Sequence, residues 1–196
     1  MYSILIDTAD KLLAIGLSKD GKIVDSIVYE AWQRQSEFLI SELDNLLKRN
    51  NISRDQISSV IASKGPGSYT GVRIALTVAK VMAFSLNIPL YLSSSLEILK
   101  DFSCPSICVV NARSKRCYVG VYDKDTVILE DTIMENKELL SYIEEHKDYK
   151  VCGDVSYLGL EGYKADVLES LNSLMIDRNR VEDVLASKPV YLKDNY

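Results

Sequence analysis

The chain carries one pattern twice. Ile4-Leu5-Ile6-Asp7, an apolar run closed by an acid, falls on Cys108-Val109-Val110-Asn111 when the sequence is shifted by 104 positions. The same shift puts Lys11 on Lys115, Gly16 on Gly120, the turn at Asp20-Gly21 on Lys124-Asp125, and Ile23-Val24 on Val127-Ile128. Each copy reads as a strand, a tight turn, a strand, a hairpin and a strand. In the first copy these are 2–8, 12–17 and 23–29, with Asp20-Gly21 as the hairpin signal. A helix over 36–50 follows, with Leu39, Leu43, Leu46 and Leu47 on one face and Glu42, Asp44, Lys48 and Arg49 opposite. Strand 57–62 and a helix over 70–86 complete the copy. In the second copy, helix 137–146, the segment Val151-Cys152-Gly153-Asp154 and a helix over 165–174 answer these three elements. Agreement in spacing over several elements points to internal duplication. Between the copies, 88–92 reads as a short strand, and Ser93-Ser94-Ser95 caps a helix running towards Lys100. After them, 180–187 looks helical and Pro189-Val190-Tyr191-Leu192 extended.

A βββαβα unit used twice makes an α/β protein of the actin-like, sugar-kinase-like (ASKHA, RNase H-like) class. Two subdomains are expected, 1–102 and 103–196, with packing of the C-terminal segment back on the N-terminal half as an alternative for that segment. In such folds the first hairpin of each half brackets a nucleotide phosphate, and an acid ends the first strand. Asp7 holds that position; the other reading is a turn acid that caps its own loop.

The second organising feature is Gly65-Pro66-Gly67-Ser68-Tyr69-Thr70-Gly71-Val72-Arg73. A strand, a glycine turn and a helix start together resemble an anion cradle. No Lys-Ser/Thr pair follows the last glycine, so the spacing is not that of a P-loop. The helix after it spans about 25 Å. Arg73, Thr77 and Lys80 make one narrow polar stripe, and Gly71, Ala75, Ala79 and Ala83 repeat as a ridge of small residues. A helix apolar on nearly every side needs covering on more than one flank. Either it is enclosed in its own domain, or one flank meets the chain's own sheet and another a partner's helix. Two cations and a short span argue against a membrane crossing.

Several chemistries are poorly provided for. The 196 residues hold one histidine, His146, within Glu144-Glu145-His146-Lys147-Asp148, which reads as a solvated helix end. A histidine-based metal site or Ser-His-Asp triad therefore cannot be assembled. Ser68 follows a strand on a sharp turn, but the G-x-S-x-G order of a nucleophile elbow is absent. Cys104, Cys108, Cys117 and Cys152 form no C-x-x-C pair, and reduced thiols are expected, with no metal. Hydrophobic content of 47% gives ample core, and no leader or membrane-spanning run is read, which leads to an expectation of a cytoplasmic protein. Net charge is −5, and Arg113-Ser114-Lys115-Arg116 is the one local basic cluster, so tight RNA binding by this chain alone is not expected.

The stretch Gly65 to Ile74 resembles the signature of the TsaB (YeaZ) family, partner proteins in making N6-threonylcarbamoyladenosine on tRNA. Ile4-Leu5-Ile6-Asp7-Thr8-Ala9, Ser93-Ser94-Ser95-Leu96, Asn111-Ala112-Arg113 and Pro189-Val190-Tyr191-Leu192 resemble further family segments, in the right order. Asn111 stands where the family has an acid, and Gln35-Ser36-Glu37 where many relatives have a histidine. The resemblance implies a non-catalytic scaffold without cofactor, required for modification at tRNA position 37. Its first two helices would form a four-helix bundle with the related subunit TsaD. TsaE, an ATPase, would join that pair, TsaC would supply the threonylcarbamoyl-adenylate, and tRNA would be met only indirectly. The implied interface here is Leu39, Leu43, Leu46, Gly71, Arg73, Ala75, Val78, Ala79 and Met82, with the small-residue ridge as its seam. The same surface would serve a homodimer. Two alternatives stand: an ATP-binding phosphotransferase or ATPase using Asp7 and the Gly65–Gly71 turn, and a protease acting on the TsaD partner.

Overall fold

The computed structural model describes residues 1–192. In chain order they form β1 (Tyr2–Asp7), β2 (Leu12–Lys19), β3 (Lys22–Glu30), α1 (Gln35–Arg49), β4 (Ile57–Ser63), α2 (Tyr69–Leu86) and β5 (Leu90–Ser93). The pattern then restarts with β6 (Ser106–Arg113), β7 (Arg116–Asp123), β8 (Thr126–Glu135), α3 (Asn136–Glu145), β9 (Lys150–Gly153) and α4 (Val167–Ser173). Strand orders are β3-β2-β1-β4-β5 in one sheet and β8-β7-β6-β9 in the other. In each, the first strand of the copy lies antiparallel to the second and parallel to the fourth. This is the duplicated actin-like architecture. The copies are not related by one uniform shift, however. Gly16 pairs with Leu5, whereas Gly120 pairs with Cys108 and not with Val109.

Two compact units result: Met1–Ser93 with Val167–Val190, and Ser94–Asp166 with Tyr191 and Leu192. The break falls at Ser93/Ser94, where the sequence places it at 102/103, and 167–190 groups with the first unit. Packing explains that grouping. Along β1, β2 and β4, Ile4, Ile6, Leu13, Ile15, Leu17, Val60 and Ala62 share a core with Leu39, Leu43 and Leu46 of α1 and Ala75, Leu76, Ala79 and Ala83 of α2. The alternate residues face α4: a Cβ on Gly16 would lie 3.3 Å from Leu168, and Ser18 Oγ donates to Asn172 Oδ1 at 2.8 Å. Period-two alternation thus covers the sheet on both faces, and the strands read as nearly continuous apolar runs.

Local chemistry sets the element ends. Asp20 and Gly21 both have positive φ, at 50° and 78°, forming the two-residue β2–β3 hairpin that Asp-Gly favours. Asn87 closes α2 in the left-handed conformation, and Ile88 N donates to Ala83 O at 3.0 Å. Two expected helices are absent. Near Lys100 there is only the 3-10 turn Glu97–Leu99. Across 180–187 the Asp183 carboxylate accepts from Leu185 N and Ala186 N, a side-chain alternative to helical bonding. Residues 189–192 join no ladder; Val190 N donates to Lys64 O at 2.7 Å.

In the second unit, Ile107, Val109, Cys117, Val119 and Leu139 form one core, and Leu96, Cys108, Tyr118, Tyr122 and Cys152 another. Cys108 and Cys117 therefore lie on opposite faces of their sheet and do not converge. Lys100 is fully buried, and its Nζ donates to Glu97 Oε1 at 2.9 Å and to Lys124 O at 2.5 Å.

Candidate interaction surface

The glycine turn between β4 and α2 is filled by the chain itself. A Cβ on Gly67 would lie 2.4 Å from Ala9 O, one on Gly65 2.6 Å from Val190 O, and one on Gly71 2.0 Å from Thr8 O. Ser68 N donates to Ala9 O at 2.7 Å, and Ser68 Oγ accepts from Gly71 N at 3.3 Å as the cap of α2. Pro66 is buried, Tyr69 and Thr70 exposed. These glycines let backbone meet backbone, and the amides of Ser68 and Gly71, which an anion would need, are already engaged. The Ser68 hydroxyl is likewise held in a cap. Asp7 is buried at the end of β1, and its Oδ1 accepts from Ala9 N at 3.2 Å. Burial raises its pKa above the ordinary carboxylate value.

The small-residue ridge faces inward. Ala75 and Ala79 are fully buried, Ala83 is 2% exposed, and Gly71 lies against Thr8. Leu39, Leu43 and Leu46 of α1 are also buried in the unit's own core. The expected seam is therefore corrected: these residues hold the two helices to the sheet. Small side chains let α2 approach β4 closely, and that need accounts for them. Of the expected interface residues, Arg73 is exposed, and Val78 and Met82 are half-buried.

The outward face of α2 lies two residues away from the ridge, roughly 200° around the helix. It runs Tyr69, Arg73, Thr77, Val81 and Phe84; Val81 is 59% and Phe84 62% exposed. On α1 the matching residue is Ile40, 60% exposed. Between the helices runs an open groove of about 480 Å3, with Leu39, Ile40, Ile74 and Val78 among its apolar lining and Ser36, Thr70 and Thr77 beside them. Arg73 lines it from α2, donating to Tyr69 Oη one turn away at 2.5 Å, with its guanidinium 5.1 Å from that ring. Ile40, Val81 and Phe84 are the residues that sequence reasoning missed, and Tyr69, expected in the signature loop, joins them on this face. For Val81 and Phe84 the signal was the i, i+3 pair of large apolar side chains on the flank away from the alanines. By length and composition α2 would suffice to cross a membrane; its inner flank is instead buried on the sheet.

Two βββαβα units, an acid-ended first strand and a glycine turn leading into a sheet-covering helix define an actin-like protein whose α1 and α2 leave apolar side chains exposed. A family model described as "TsaD: tRNA N6-adenosine threonylcarbamoyltransferase" matches residues 28–187, and the chain belongs to that family, among its TsaB (YeaZ) members. It is 28% identical over 193 residues to the tRNA threonylcarbamoyladenosine biosynthesis protein TsaB of Bacillus subtilis (strain 168), covering 96% of this chain and 78% of that one. It is 22% identical over 170 residues to the protein of the same name from Buchnera aphidicola subsp. Acyrthosiphon pisum, covering 81% of this chain and 73% of that one. Among solved structures, YeaZ from Pseudomonas aeruginosa superposes with a TM-score of 0.82 at 21% identity, over 97% of this chain and 99% of that one.

Proposed function

We propose that this chain is a non-catalytic, cytoplasmic subunit of the machinery that makes N6-threonylcarbamoyladenosine at position 37 of tRNA, pairing through α1 and α2 with a TsaD-like subunit. The observation that carries this reading is the exposed apolar face of those two helices, with Ile40, Val81 and Phe84 each more than half accessible. Solitary surface apolar residues are ordinary, but exposed apolar side chains on two adjacent helices, with Ile40 lining the open groove between them, suit a four-helix contact. The absence of a catalytic role is supported by the engaged Ser68 hydroxyl and by the closure of the glycine turn on the chain's own carbonyls. TsaE would join the assembled pair, TsaC would supply the activated threonylcarbamoyl group, and tRNA would be held by the partner. The same face in a second copy of this chain would support a weaker homodimer.

Mixing the chain with the TsaD homologue of its own organism and measuring masses by size exclusion with light scattering tests the reading. A one-to-one complex is expected, lost in Ile40→Asp and in Val81→Asp while both variants keep wild-type melting curves. Masses of separate proteins at micromolar concentration would overturn it.

A further inference from the structure

We propose that Arg73 selects the partner: the α1–α2 groove accepts a helix bearing a carboxylate among apolar side chains, and the same cation disfavours pairing of two copies of this chain. This inference rests on the docking role given to α1 and α2.

Arg73 is the one cation in a groove whose walls are otherwise apolar or hydroxylic. Among the described residues no carboxylate pairs with it. Its recorded contacts are the Tyr69 hydroxyl at 2.5 Å and the Tyr69 ring at 5.1 Å, neither of which neutralises charge. While the groove is open, water solvates the guanidinium. A helix laid along Leu39, Ile40, Ile74 and Val78 would strip that water away, and an ion so desolvated needs an opposite charge with good geometry. A carboxylate suits a guanidinium best, because the planar fork donates two parallel hydrogen bonds to it. Tyr69 already restricts the Arg73 side chain, which lowers the cost of ordering it on binding.

The same two helices of a second copy offer no such group. α2 contains no acid from Tyr69 to Leu86. The acids of α1 are engaged: Glu37 with Arg34 at 3.0 Å, Asp44 with Lys48 at 2.6 Å, and Glu42 accepting from Tyr29 Oη at 3.1 Å. An isologous contact repeats one surface on both sides, so it would enclose two Arg73 guanidiniums and bring no unengaged acid from α1 or α2. A non-identical partner with an acid at the facing position removes that penalty. The discrimination comes from what the wrong pairing leaves uncompensated.

The test compares Arg73→Met, Arg73→Lys and Ile40→Asp in two titrations, each at low and high salt: against the TsaD homologue, and for self-association. Arg73 is exposed, so Arg73→Met should leave the melting curve unchanged. The inference expects Arg73→Met to weaken the mixed complex tenfold or more, to flatten its salt dependence, and to tighten self-association. Arg73→Lys should retain part of the affinity, and Ile40→Asp should weaken both pairings. Mixed affinity within about twofold of wild type in Arg73→Met, with Ile40→Asp still disruptive, would overturn the role of Arg73 and leave the docking role standing. A mixed complex untouched by Ile40→Asp would overturn the docking role and this inference together.

Discussion

Gly71 and Thr8 meet backbone to backbone. A Cβ on Gly71 would lie 2.0 Å from Thr8 O, and the Thr8 hydroxyl donates to Gly71 O at 2.7 Å. The start of α2 is thereby tied to the turn that follows β1. This contact explains why a glycine opens the helix at a place where its entropic cost is otherwise unwelcome.

Gly71→Ala is expected to destabilise the protein by about 2–4 kcal/mol, because backbone on both sides must move to admit one methyl group. Thr8→Val removes the hydroxyl and its tie to α2, while the Gly71 carbonyl keeps its place in the helical ladder, a cost of about 0.5–1.5 kcal/mol. Urea denaturation of both variants checks the ordering. A Gly71→Ala variant as stable as wild type would show that the turn is looser than this contact implies.

Ala79→Arg separates the inner flank of α2 from the outer one. Ala79 is fully buried among the sheet residues, so arginine there forces a charge and a long side chain into the core, at a cost of about 4 kcal/mol or more. Insoluble or unfolded protein is expected. Val81→Ser, on the outer flank at 59% exposure, should change stability by no more than about 0.5 kcal/mol. Circular dichroism melts of the pair decide the matter. A folded, monomeric Ala79→Arg variant would put the ridge on the surface.

The two flanks also show what the sequence makes legible. The duplication, the strand order it implies and both β–α–β crossovers follow from period-two and period-3.6 patterns, which burial on a sheet imposes directly. The direction of α2 does not follow, because a helix apolar on several sides has no unique inward face. Alanines at 75, 79 and 83 suit a close contact of either kind, and only the nearby sheet decides which. The place of α4 was hidden for a related reason. Leu168 and Leu171 mark an apolar face, but nothing in a seven-residue helix names the sheet that receives it.

Asp7 should give stability an unusual pH dependence. Burial raises its folded pKa above the reference value of 3.8. Between the reference value and the raised value the folded state binds more protons than the unfolded state, so this group's contribution falls as pH rises through that window. Asp7→Asn keeps an acceptor for Ala9 N and cannot ionise. Its melting temperature should exceed that of wild type at pH 8, and the gain should vanish below pH 3.8. Asp25 behaves oppositely: hydrogen bonding from Arg49 lowers its pKa to about 2, so its contribution is present above pH 3.8 and is lost as pH falls towards 2. Thermal melts from pH 3 to 8 should therefore show the two variants departing from wild type in opposite directions at the high-pH end, Asp7→Asn more stable and Asp25→Asn less, with both differences shrinking towards pH 3. An Asp7→Asn difference that is constant with pH would mean the carboxyl is solvated.

Lys100 is the most deeply enclosed charge in the second unit. Its Nζ reaches Glu97 Oε1 at 2.9 Å and Lys124 O at 2.5 Å, with the Phe102 ring centroid 4.7 Å away. The side-chain exposures are 0% for Lys100 and 5% for Glu97, so water screens this pair very little. Lys100→Met leaves the Glu97 carboxylate buried without its cation, and a loss of about 3–5 kcal/mol is expected. Glu97→Leu alone should cost comparably, for the converse reason. Replacing both together, as Lys100→Met with Glu97→Leu, removes both desolvation penalties at once. The double variant should recover most of the stability lost in either single one, because a buried ion pair exchanged for packed apolar side chains is often close to neutral. A double-mutant cycle by urea denaturation gives the coupling directly. Additive losses, with the double variant worse than either single one, would mean zero coupling, so that each side chain stabilises the fold through its other contacts and not through the pair.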